Sequence, residues 1–207
     1  MSKYKYKIYN GKSLKKFFEN SRIFVLISMF IIGLTAGASM LNNNSSITER
    51  LSVIIESYSE LRAEQGILIN FCNSLTVNVL FSVVNLFLAF SLVGYPLIIA
   101  LPTFKGLALG AVSGYLYSTY KLIGLGYCML MIFPGAVSST FAFLLACNDS
   151  CEYSKNAFMK AIKGRGQFEK DETRVYLTRQ LVFLGICAVS SGIDAVFCEI
   201  FSRFFEI

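Results

Sequence analysis

Between Gly66 and Tyr117 the chain carries a single ionised side chain, Lys105. That run is more than twice the roughly 20 apolar residues that a helix needs to cross a bilayer. Further apolar runs lie at Ile23–Leu41, before the run, and at 127–146 and 180–200, after it. A soluble core in a chain of 207 residues has no use for several such stretches. The composition agrees, with 55% hydrophobic residues, 15% charged residues and a mean hydropathy of +0.57. The expected class is an all-α integral membrane protein in one multi-span domain, residues 23–207, preceded by a basic segment, residues 1–22.

The long run divides at Gly94-Tyr95-Pro96, a turn signal. Five spans then follow, at 23–41, 67–93, 97–117, 127–146 and 180–200. Tyr115, Tyr117, Tyr120 and Tyr127 cluster about the turn at Lys121, as in an interfacial aromatic belt. The first span, at 19 residues and followed by others, reads as an uncleaved signal-anchor rather than a cleaved leader. Asn42, Asn43, Asn44, Ser45 and Ser46 end it, and Ser46 with Glu49 has capping-box spacing. In the helix expected over 47–65, Ile47, Leu51, Ile54, Tyr58 and Leu61 recur at steps of three and four. Its other faces carry acids, among them Glu56 and Glu60.

Charge sets the orientation. Seven Lys/Arg lie in residues 1–22 and seven more between Asn148 and Arg179. With five spans both basic segments fall on the cytoplasmic side, while the acidic 42–66 segment and the C-terminus fall outside. Residues 147–179 are then a cytoplasmic loop. The same placement explains the net charge of +6 without nucleic acid as a partner.

Inside the membrane, Asn70, Asn73, Asn78 and Asn85 fall within an arc of about 140° on the second span. Amides facing lipid go unpaired, so that side is expected to face other helices or a wet path. Gly33 and Gly37 form one GxxxG unit, and Gly106, Gly110 and Gly114 form two overlapping ones. Such stripes let helix backbones approach closely, within one subunit or across a homo-oligomer. Pro134, followed by Gly135, predicts a kink or break in the fourth span. Asp194 lies inside the last span and is the favoured buried charge, with Glu199 at the interface and Lys105 free to snorkel.

Several chemistries have no residues to carry them. There is no histidine, and the six cysteines sit in or beside apolar runs as small hydrophobes, so neither a metal nor another cofactor is expected. No nucleophile elbow, phosphate loop or paired acids on a wet loop are present, so the chain is not expected to be an enzyme.

The order of elements resembles the stage II sporulation protein M family: a basic N-terminus, one span, an outer amphipathic segment and four more spans. The matching features are the asparagine-bearing span Asn70–Asn85, the stretch Thr103-Phe104-Lys105-Gly106-Leu107-Ala108-Leu109-Gly110, and Phe133-Pro134-Gly135. The likeness covers about residues 14–205. Many members carry Pro-His-Gly and then a glutamate in the fourth span; this chain has Pro134-Gly135 with neither, so a proton-linked role is not carried over. The resemblance implies a multi-pass protein of the bacterial cytoplasmic membrane in a spore former. It also implies a scaffold that recruits cell-wall hydrolases, with the chemistry left to those partners. On that reading Glu56, Tyr58 and Glu60 form the partner-binding face. The alternative is a transport component whose polar path is lined by the second, fourth and fifth spans.

Overall fold

A computed structural model describes residues 21–43, 66–91, 94–162 and 170–202. The segment 47–65, with Glu56, Tyr58 and Glu60, lies outside the described residues. Among the described residues there are five α-helices: α1 (Ser21–Asn43), α2 (Ile67–Phe90), α3 (Gly94–Tyr127), α4 (Phe133–Ile162) and α5 (Lys170–Ser202). A π-helical segment, Cys128–Ile132, joins α3 to α4.

Four helical stretches are long and apolar enough to cross a bilayer: Arg22–Met40, Ile67–Phe90, Gly94–Met159 and Asp171–Ile200. The third holds 66 residues, far more than one crossing needs. It is interrupted at Lys121, whose backbone (φ 49°, ψ −121°) is not helical. There the chain folds back on itself. Gly124 comes so close to the Leu116 carbonyl oxygen that a β-carbon would collide with it. Only glycine fits this close approach.

Pro134 does not itself break the helix. The irregularity lies just before it, where the Phe133 N–H bonds to the Cys128 carbonyl in the wider π pattern. Proline offers no N–H to the preceding turn and crowds it, and a π turn is one way a helix absorbs that conflict.

Helices α2, α4 and α5 pack against one another, α3 lies beside them, and α1 runs chiefly along α3. One core cluster gathers Leu26, Ala89, Ile98, Phe143, Cys147, Cys151 and Tyr176; a second, toward the Lys121 turn, gathers Leu116, Tyr127, Met131 and Cys198. Five of the six cysteines are buried, and all six are free thiols; Cys72 is exposed. Outward, Leu68, Phe87, Leu122, Leu181 and Val189 are exposed. Apolar side chains ringing a bundle in this way suit contact with lipid.

The region expected to be a cytoplasmic loop, 147–179, is helical wherever it is described. α4 continues to Ile162 and α5 starts at Lys170. The reason is periodicity: Cys147, Ser150, Cys151, Ser154 and Ala157 are all buried at steps of three and four, while Asp149 and Glu152 take other faces. At about 1.5 Å per residue, α4 and α5 each outrun a bilayer core of about 30 Å, so their polar ends extend beyond it.

Candidate functional site: a buried polar seam

Asn70, Asn78 and Asn85 of α2 point into the bundle, and each of the three meets a side chain of another helix. The Asn70 Nδ2 lies 3.6 Å from the Cys198 sulfur. The Asn78 Nδ2 donates to the Ser191 hydroxyl at 3.1 Å, and Ser191 donates in turn to the Cys187 carbonyl at 3.0 Å. The Asn85 Nδ2 donates to Ser150 at 2.8 Å. Asn73 differs. It sits at the edge of the amide arc and is exposed, whereas Asn70, Asn78 and Asn85 are buried.

Ser150 is a junction of three helices. Besides Asn85 from α2, it meets Gln180 Nε2 at 3.2 Å and Tyr176 OH at 2.9 Å, both from α5, and donates to the Ala146 carbonyl at 2.8 Å. Gln180 also donates to that carbonyl at 3.2 Å. The Asn85 Oδ1 is buried with no hydrogen-bond partner.

The centre of the seam is a residue that sequence reasoning passed over as free to snorkel. Lys105 is 6% exposed. Its Nζ lies 3.2 Å from Asn78 Oδ1 and 3.5 Å from Ser139 Oγ. The same nitrogen stands 5.0 Å from the Phe143 ring centroid and 6.0 Å from that of Phe81. Neutral oxygens and aromatic faces surround the amine, the setting in which cation–π attraction counts most. The signal was in the sequence: Lys105 is the only ionised side chain between Gly66 and Tyr117. Its depth was not, because a long side chain near a span's end can also reach back to water.

Asp194 is buried, and its carboxyl group packs on Gly135. A β-carbon at Gly135 would stand 2.8 Å from Asp194 Oδ1 and 2.5 Å from Asp194 Cβ. The glycine after Pro134 therefore makes room for the acid on α5. One turn on, Ser190 donates to Ser138 at 2.8 Å.

The glycine stripe serves a separate contact. β-Carbons at Gly33 and Gly37 of α1 would collide with the Thr103 and Leu107 carbonyls of α3; those at Gly106 and Gly110 would collide with the Phe30 and Leu34 carbonyls of α1. The two GxxxG units interlock within one chain. Gly114, one turn further along α3, is half-buried.

Two cavities lie beside the seam, and Tyr176, which bonds to Ser150, lines the first of them. One, of about 390 Å³, is lined by Asp149, Tyr153, Asp171, Tyr176 and neighbours at the extended ends of α4 and α5. The other, of about 300 Å³, is an apolar groove among α1, α3 and α4 that includes Phe30, Leu34, Leu109 and Phe141. Among the described residues no group of three or more cysteines, aspartates and glutamates is placed to hold a metal ion.

No curated protein and no solved structure matches the chain. A family model described as stage II sporulation protein M matches residues 24–198, which take in most of each of the five helices and all of the seam residues. With four apolar helical stretches of spanning length, the chain is a multi-pass membrane protein, and it belongs to the stage II sporulation protein M family.

Proposed function

We propose that this protein is a non-enzymatic scaffold of the bacterial cytoplasmic membrane that recruits partner proteins, cell-wall hydrolases among them, during sporulation. The observation that carries this reading is that the polar seam is occupied by its own side chains. Asn78 holds Lys105 and Ser191, and Asn85, Tyr176 and Gln180 converge on Ser150. A transport path needs polar groups facing open space, whereas these join α2, α3, α4 and α5. Of these groups Tyr176 alone lines one of the two cavities, and its hydroxyl is bonded to Ser150. A rigid bundle that presents its outer segment to partners suits this interior better than a conduit does.

The scaffold has five passes, with the N-terminus inside and the C-terminus outside. The reversal at Lys121 supports counting Gly94–Met159 as two passes, and the basic segments at 1–22 and 148–179 support the orientation. Reporter fusions after Lys163 are expected to be active in the cytoplasm and fusions at Ser57 outside it. Activity of both on one side would remove the five-pass arrangement.

Partner recognition falls to the outer segment. Replacing both Glu56 and Glu60 by lysine reverses charge at two positions outside the spans. It is expected to abolish complementation of a sporulation defect while protein abundance and melting in detergent stay normal. Full complementation by that variant would reject this face as the docking surface.

A further inference from the structure

The cleft at the extended ends of α4 and α5 has a chemistry that the scaffold reading leaves unused. Its walls carry Asp149, Glu152, Asp171 and Glu172, with Arg179 the one cation among the described lining residues. Arg179 stands 3.6 Å from Asp149. Two of its lining side chains are aromatic. Tyr153 and Tyr176 stack at 4.4 Å with their planes 15° apart, and Phe90 stands edge-on to both. Carboxylates beside aromatic rings make a seat for amines and guanidinium groups.

A cation from another helix already sits on its rim. Arg22, at the start of α1, places Nη2 3.3 Å from Glu152 Oε2. The chain leading into Arg22 holds Lys3, Lys5, Lys7, Lys12, Lys15 and Lys16 against one acid, Glu19. Lys16 is six residues before Arg22, a reach of at most about 20 Å. The acids Asp171 and Glu172 lie in the first turn of α5, where the helix dipole favours them. That accounts for their sign, but not for the cleft or for a guanidinium arriving from α1.

We propose that the cleft between α4 and α5 seats lysine side chains from residues 1–20 of the same chain, with the Arg22–Glu152 pair as the anchor. The segment is thereby held against the bundle instead of spreading on anionic lipid headgroups, the other surface that attracts it. This inference is independent of the scaffold reading.

The test is carbodiimide coupling of amines to carboxylates in the full-length protein, followed by digestion and mass spectrometry, in neutral detergent and in bilayers containing an anionic lipid. Linked peptides are expected to join Lys12, Lys15 or Lys16 to Glu152, Asp171 or Glu172 in both media. In the variant Asp171→Lys/Glu172→Lys, trypsin is expected to cut at Lys12–Lys16 about five-fold faster, since the seat is lost while the bundle stays folded. Links to the cleft confined to Lys163, or equal cleavage of both chains, would overturn the proposal. Protection that appears only with anionic lipid and survives the charge reversal would assign the segment to the membrane surface instead. Should the variant fail to fold, coupling in the unaltered chain decides alone.

Discussion

Where α1 meets α3, four glycines bring backbone against backbone; where α2 meets α4 and α5, amides and hydroxyls reach across a gap that side chains fill. Lipid is as apolar as leucine, so neither contact has a hydrophobic drive behind it. The first relies on close van der Waals approach, which any added atom spoils. The second relies on polar groups that have no alternative partner in lipid, so removing one group matters according to what it leaves behind. The contrast is between an interface governed by volume and one governed by pairing, and the two should fail differently.

The volume side should fail most severely. Gly106→Leu drives a side chain into the Phe30 carbonyl, and backbone cannot yield as a flexible side chain can. Its expected cost is about 3 kcal/mol, the upper end for overpacking, measured as a lowered melting temperature in detergent. Unchanged melting would mean that α1 and α3 separate without consequence, and the interface would lose its importance.

Next comes the pairing at Lys105. Asn78→Leu removes the nearer of the two oxygens that hold the buried amine and leaves it with Ser139 at 3.5 Å and the aromatic rings. A hydrogen bond to a charged group is worth about 2 kcal/mol, so a loss of that order is expected. Adding Lys105→Met should recover most of it, because the stranded charge disappears with its need for a partner. Equal losses in single and double variants would show that Asn78 acts through Ser191 rather than through the lysine.

Asn85→Leu should cost less than about 1 kcal/mol, the usual scale of a hydrogen bond between membrane helices. It forfeits the bond to Ser150 but also removes a carbonyl oxygen that has no partner. A larger loss would make the Ser150 junction as consequential as the lysine. The smallest effect sharpens the glycine argument. Nothing lies within 4 Å of a β-carbon at Gly185, so Gly185→Ala is expected to raise stability by about 0.5 kcal/mol through helix preference alone. Destabilisation there would mean that glycine matters to this bundle for reasons other than close approach.

The apolar run lengths, the turn near Lys121, the amide face and the paired GxxxG units determined from sequence alone that this is a helical membrane protein packed by glycines and asparagines. Those features are legible because helical periodicity and bilayer thickness act on neighbouring residues. Pro134 announced a disturbance, but its form, a π turn ending just before it, emerged only in the fold. Residues 147–179 misled because their charge density suggests a loop, while the buried stripe from Cys147 to Ala157 was the stronger signal. Tertiary structure alone decided that Lys105 is held by Asn78 and Ser139, that Asp194 rests on Gly135, that Asn73 is exposed while the other amides are buried, and that Ser150 joins three helices. Each depends on residues far apart in sequence meeting at one depth, and that depth is set by how helices rotate and slide against one another, which no local pattern records.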